Sequence, residues 1–208
     1  MSVSALILAA GESRRFIGIK LLAKINGKTL LEIMVEKIHR SSIENCYICL
    51  GAHFEQLRDQ LKDQLKGLTP EQCEVIVSKN WQSGIGHSIA DSIKAITNKE
   101  ERVLIVLADQ ILLSVEHINQ LIEISNNNTD KIVATSANEI LMPPAIFPRQ
   151  YFEELGKLQG DKGAAKLLKN ESKRVISIVY ENAAYDIDTQ EDLETVKSDF
   201  PIQTLEEI

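Results

Sequence analysis

Val3-Ser4-Ala5-Leu6-Ile7-Leu8-Ala9-Ala10 runs straight into Gly11-Glu12-Ser13-Arg14-Arg15, and Lys20 follows five residues later. A nearly unbroken apolar run at this position reads as a central parallel strand buried on both faces. Gly11 ends it, at a turn that a side chain is expected to hinder. Ser13, Arg14, Arg15 and Lys20 then bring a hydroxyl, backbone N–H groups and three cations to one mouth, and a phosphate polyanion is held by such converging donors and balanced charge. The turn fits neither Gly-x-x-x-x-Gly-Lys-Ser/Thr nor Gly-x-Gly-x-x-Gly.

The cations stand out because the rest of the chain is acidic. Over 208 residues the formal net charge is −7, which argues against a general nucleic-acid or membrane-surface binder. With 44% hydrophobic residues, residues 1–208 are expected to form one domain with a full core. No apolar run approaches the roughly 20 residues of a membrane helix and no basic region precedes the first apolar segment, so a cytoplasmic location is expected. Cys46, Cys49 and Cys73 lie in strand-like segments and read as reduced, buried thiols. Cys46 and Cys49 should face opposite sides of their strand, which excludes a shared metal.

Strand patterns at Val3–Leu8, Cys46–Leu50, Glu74–Val77, Val103–Leu107, Lys131–Thr135, Ala145–Phe147 and Val175–Val179 alternate with helical ones. The helical patterns are Thr29–His39, Glu55–Leu65, Ile89–Ile96, Val115–Ile124, Gln150–Leu155, Ala164–Leu168 and Gln190–Val196, with Ser125–Asn128 as a loop. Alternation of this kind predicts an α/β protein, a three-layer α/β/α sandwich around a mostly parallel sheet of about seven strands. Its ligand site should lie beyond the carboxyl ends of the strands.

Two acidic features belong to that end. Val103–Ala108 delivers Asp109-Gln110 to the crevice, where Asp109 suits a hard divalent ion such as magnesium shared with substrate phosphate, or else caps the following segment. Asp186-Ile187-Asp188-Thr189 precedes the last helix, with Thr189 or Asp188 as its cap and Asp192 complementing its dipole. That leaves Asp186 as the favoured second carboxylate for the metal. His87 and Trp81 are weaker candidates for phosphate and base contacts.

These segments resemble the MobA-like nucleotidyltransferases, most closely the molybdopterin cytidylyltransferases. The carriers are Leu8–Arg15 with Lys20-Leu21-Leu22, Asn80–Ser88 with its Gly84-Ile85-Gly86-His87-Ser88 core, Leu107–Gln110, Gly160-Asp161-Lys162-Gly163-Ala164 and Asp186–Leu193. The resemblance implies a Rossmann-like fold of the nucleotide-diphospho-sugar transferase type. It also implies transfer of CMP or GMP from a nucleoside triphosphate, CTP before GTP, to a phosphorylated acceptor such as molybdopterin, with release of pyrophosphate. It assigns Lys20, Arg15 and Asp109 to catalysis and Asp109 and Asp186 to Mg2+. It assigns Ala9, Ala10, Gly11, Ser13, Arg14, Asn80, Gly84, Gly86 and Ser88 to the nucleotide, and Pro144, Gly160, Asp161 and Gly163 to the acceptor. A molybdoenzyme or its maturation factor is the implied protein partner.

Three positions depart from the family pattern. Ile17 stands where a glycine is usual, Ile111 where a proline follows the aspartate-glutamine pair, and Met142-Pro143-Pro144 where a glycine-histidine-proline segment is usual. Each is expected at a substrate contact. Two other readings therefore stay open: transfer to a sugar phosphate, alditol phosphate or similar acid, and a nucleotide-binding protein that has lost the acceptor site.

Overall fold

The computed structural model describes residues 2–64 and 73–199. In chain order they form β1 (Ser4–Ala9), a two-stranded ribbon of β2 (Lys24–Ile25) and β3 (Lys28–Thr29), α1 (Leu30–Arg40), β4 (Cys46–Leu50) and α2 (Phe54–Gln64). Then come β5 (Cys73–Val77), α3 (Ile85–Ile96), β6 (Arg102–Leu107), α4 (Val115–Asn127), β7 (Ile132–Ala137) and β8 (Ile140–Pro148). The chain closes with α5 (Phe152–Leu155), α6 (Gly163–Asn170), β9 (Val175–Val179) and α7 (Gln190–Asp199). Seven strands make one sheet in the order β5-β4-β1-β6-β8-β7-β9. β1 lies between β4 and β6, parallel to both, and all six of its residues are buried, as its unalternating composition requires.

The three layers follow from the alternation of faces. Ala5, Ile7, Cys46 and Ile48 pack with Leu31, Met34 and Ile38 of α1, Leu57 of α2 and Leu121 of α4. Leu6, Tyr47, Cys49 and Ile105 pack with Ile89 and Ile93 of α3, Phe152 of α5 and Leu168 of α6 on the other side. Cys46 and Cys49 thus face opposite ways, and all three thiols are free and buried. Among the described residues no helix is long and apolar enough to cross a membrane.

Three local expectations are corrected. β8 is antiparallel to both its neighbours and far longer than Ala145–Phe147. Its hairpin with β7 turns through Asn138 and Glu139, at φ 49° and 64°. Pro143 and Pro144 hide the strand in the sequence because they cannot donate to a ladder; the register jumps there from Ala134↔Ala145 to Thr135↔Met142, and Thr135 donates its hydroxyl to the Pro144 carbonyl at 2.9 Å. α4 runs on through Ser125, Asn126 and Asn127. Arg102 reaches Ser125 Oγ at 3.0 Å and Asn126 Oδ1 at 2.8 Å, and Asn127 and Asn128 donate back to the Glu123 and Ile124 carbonyls, so the polar tract ends the helix rather than looping away. α3 starts at Ile85, one turn before Ile89, because Gly84 at φ 104° supplies the entry to the helix. Residue 65, the expected end of the second helix, falls outside the described residues.

A third apolar cluster lies off the sheet and decides where the functional loops sit. Phe16, Ile25, Leu30, Ile33, Ile111, Leu112, Ile187, Leu193 and Val196 pack together, tying the loop after β1, the ribbon, the loop after β6 and α7 into one mass. Ile111 has no solvent exposure. It is therefore core and not a substrate contact, and an isoleucine in place of proline serves that packing. Ile17, in contrast, is 85% exposed.

Candidate active site

The hollow begins where β1 and β6 end side by side. Ala52 N–H donates to the Ala10 carbonyl at 3.0 Å and Ala108 N–H to that of Leu8 at 3.1 Å, so the turns at Gly11 and Asp109 leave the sheet as neighbours. A Cβ on Gly11 would meet no protein atom within 4 Å, and its φ is not positive. The expectation that the turn itself needs glycine is corrected: the left-handed residue is Ser13, at φ 57°. The bare backbone at Gly11 leaves open space in the hollow. Phe16 donates its N–H to the Ser13 carbonyl at 2.9 Å and buries its ring in the third cluster, which returns the loop to the protein before Lys20.

Lys20 opens a short 3-10 turn and is 7% exposed. Its ammonium is bonded to Asp109 and lies 3.2 Å from Asp188 Oδ1, while Arg15 reaches Asp188 Oδ2 at 2.7 Å. Burial alone would lower the Lys20 pKa, but the Asp109 and Asp188 carboxylates outweigh it and hold the ammonium above its usual range. Thr189 caps α7, its hydroxyl accepting from Asp192 N–H at 3.2 Å while Asp192 takes the N–H groups of Asp188 and Thr189. With the cap supplied by Thr189, the Asp188 side chain is free to face the hollow, which it lines. Asp186, favoured from the sequence, keeps solvent contact and does not line it. Its carboxyl is pushed up to about 7, first by the protein crowding it and then by the charges of Asp109 and Asp188.

The hollow measures about 490 Å³, within the range of small-molecule pockets. One wall is the segment from Leu8 to Arg15 with Lys20 and Leu21; Leu107, Ala108, Asp109 and Asp188 form the next; Trp81, Gln82, Gly84, Ile85, Ser88 and Asp161 close it. Asn80, Gly86, Gly160, Gly163 and Pro144 do not line it. Asn80 turns toward Asp91, Pro144 is buried within β8, and Gly163 packs on Ile85. Gly86 admits the backbone of Gln159, which a Cβ there would meet at 2.9 Å. Asp161, assigned to the acceptor, thus lines the same hollow as Gly84 and Ser88, assigned to the nucleotide.

Three supporting residues escaped sequence reasoning. A Cβ on Gly51 would lie 2.6 Å from Trp81 Cβ and 2.8 Å from the Ala10 carbonyl, so only glycine lets Trp81 close against the end of β1. Gln110 is buried and uses its whole amide: it accepts from Leu107 N–H at 3.2 Å and donates to the Pro143 and Ala183 carbonyls at 3.1 and 3.0 Å. This fixes the loop bearing Asp109 against the segment that leads to Asp186. Lys37 of α1 is buried and donates to the Ile111 and Leu113 carbonyls at 2.7 and 2.8 Å. Burial, aided by Arg40, pulls its pKa down to about 8.

Among the described residues no group of three His, Cys, Asp or Glu side chains stands ready to hold a metal by itself. Asp109 and Asp188 are hard oxygen donors that converge on one cation already, Lys20. The donor chemistry fits a hard divalent ion that also takes substrate oxygens.

The model of one family, the MobA-like NTP transferase domain, matches residues 5–175. The purine catabolism protein PucB of Bacillus subtilis is 26% identical over 194 residues, covering 91% of this chain and 93% of that protein. Rv0371c of Mycobacterium tuberculosis superposes with a TM-score of 0.78 at 20% identity, over 95% of this chain and 99% of that one; its structure in complex with manganese superposes at 0.73, with 19% identity over 96% and 100%. The molybdopterin-guanine dinucleotide biosynthesis protein A of Archaeoglobus fulgidus does so at 0.67 and 15% identity, over 94% and 97%.

Proposed function

The chain belongs to the MobA-like NTP transferase family and is a nucleotidyltransferase, and from that premise we propose that it transfers CMP, or failing that GMP, to the phosphate of molybdopterin with release of pyrophosphate. The observation that carries the site assignment is the placement of Lys20: a nearly buried ammonium shared between Asp109 and Asp188, in a hollow that the Gly11–Arg15 turn also lines. Attack on an α-phosphate gathers negative charge at one phosphorus, so catalysis rests on alignment and on cations placed beforehand, with no need for a protein nucleophile.

In this reading the backbone of Ala9–Ser13 and the Arg14 and Arg15 side chains cradle the triphosphate. Lys20 leaves its carboxylates in part to meet the reacting phosphate oxygens. Asp109 and Asp188, with Asp186 beside them, would hold Mg2+, which when bound would supply positive charge to neutralise the phosphates. Trp81, Gly84 and Ser88 shape the nucleoside pocket. The molybdopterin assignment draws on the sequence resemblance and on the name of the Archaeoglobus protein, tied to molybdopterin-guanine dinucleotide. Pyrophosphate release measured with CTP, GTP, ATP and UTP against molybdopterin and a panel of sugar and alditol phosphates tests it. Release with CTP and molybdopterin is the expected result; release only with a sugar or alditol phosphate overturns the acceptor and leaves the transfer chemistry standing.

A further inference from the structure

A carboxylate is an odd lining for a cleft that receives a polyanion, and Asp161 is one that the phosphate chemistry does not use. It is exposed on the wall with Trp81, Gly84 and Ile85. Its Oδ1 lies beside Gly84, on the wall that also carries Trp81 and Ser88, whereas Lys20, Asp109 and Asp188 belong to the other walls.

The backbone is shaped to deliver it there. Gly160 and Gly163, at φ 66° and 42°, bracket Asp161 in conformations that L side chains rarely adopt. Gly160 donates its N–H to His87 Nδ1 at 3.2 Å, tying the segment to the first turn of α3. A Cβ on Gly84 would come within 2.5 Å of Asp161 Oδ1 and of the Gly160 carbonyl. Glycine at 84 thus admits the Asp161 carboxylate to the hollow, and the tie through His87 holds it in place.

Resting on the nucleotidyl-transfer reading, we infer that Asp161 is the residue that reads the nucleoside half of the triphosphate, accepting hydrogen bonds from its donor groups. An ionised carboxylate only accepts. It repels phosphate oxygens and the carbonyl edges of uracil and favours two sets of donors: the ribose hydroxyls and the exocyclic amino group of cytosine or guanine. Such a residue selects what is bound by what it refuses as well as by what it holds.

Titration calorimetry on the full chain in Mg2+, with CTP, 2′-deoxy-CTP, UTP and inorganic tripolyphosphate, separates this from the alternatives. In Asp161→Asn and Asp161→Ala, CTP should bind about tenfold more weakly while tripolyphosphate binds as well or better, because a negative charge has gone. Loss of the preference for CTP over its 2′-deoxy form places the contact on the ribose; loss of the preference over UTP places it on the amino group. CTP and tripolyphosphate both binding more tightly, or neither changing, overturns the inference and leaves the transferase reading intact. A wild-type chain that binds tripolyphosphate but no nucleotide overturns both. Unchanged melting of Asp161→Asn establishes that the fold is retained.

Discussion

The two ends of β1 and β6 both bury charge, and they do so with opposite kinds of partner. At the amino end Glu100, 3% exposed, is surrounded by neutral donors: the Ser4 hydroxyl, Tyr47 Oη at 2.7 Å and Asn45 Nδ2 at 3.2 Å. Arg102, 2% exposed, meets the hydroxyl and amide of Ser125 and Asn126, with the Glu44 carboxylate also acting on it. Ser4, Tyr47 and Arg102 belong to strands and Ser125 to a helix, so the network has one arrangement. At the carboxyl end Lys20, Asp109, Asp188 and Arg15 are partnered by one another and all sit on loops or at the edge of a turn. Ion pairs of this kind can be exchanged for the charges of a ligand, whereas a carboxylate satisfied by fixed neutral donors has nothing to exchange. The amino end is built to stay, the carboxyl end to be traded.

Breaking the exchangeable end should have the largest effect. Lys20→Ala is expected to lower turnover by about 10²- to 10³-fold, the loss seen when one preorganised donor to a transition state is removed. Circular dichroism should show the fold intact. Near-normal pyrophosphate release would remove Lys20 from the chemistry. The same variant frees two carboxylates from their ammonium, so manganese binding followed by electron paramagnetic resonance should tighten in the absence of nucleotide.

Acid sharpens the contrast at a third site, where α4 packs on the sheet. His117 is buried, donates from Nε2 to Thr135 Oγ1 at 2.8 Å and stacks on Tyr180 at 4.2 Å. Thr135 gives its own proton to Pro144, so it can only accept from the imidazole. Burial lowers the His117 pKa from 6.5 to about 4. The folded value being depressed, the neutral ring's contribution is complete above pH 6.5 and is lost as pH falls toward 4, by about 3 kcal/mol at most. Chemical denaturation at pH 7 and pH 4.5 measures it, and His117→Gln should flatten that part of the profile.

Glu100→Gln tests the permanent end. An amide cannot accept from three donors at once, and stability should fall by about 1–3 kcal/mol with nucleotide affinity unchanged. A matching loss of affinity would mean that the two ends are coupled. The smallest effect belongs to Ile17→Ser. A side chain 85% exposed should change stability by less than about 0.5 kcal/mol.

By itself the sequence determined the layers and the chemistry available to them. The alternation of buried strands and amphipathic helices is a local pattern, and β4 and β9 fall where periodicity places them, at Cys46–Leu50 and Val175–Val179. The Gly11–Arg15 turn and Asp109 were legible for the same reason, since each follows directly on a buried strand and strands of a parallel sheet end on one side. Periodicity saw only Ala145–Phe147 of β8, because two prolines interrupt a strand that its neighbours on both sides complete.

What only the tertiary structure decided is which acid meets which cation. Asp186 and Asp188 are two residues apart and chemically alike; Thr189 caps α7, the third apolar cluster anchors Ile187, and the Asp188 carboxylate consequently arrives at Lys20, 168 positions earlier in the chain. The same holds for Ile111 and Lys37, whose burial comes from loops packing beyond the sheet, and for Gly51 and Gly84, whose need for no side chain is set by Trp81 and Asp161. Local pattern fixes elements because it acts through neighbours in sequence; a site is fixed by loops meeting across space, and that meeting is a property of packing.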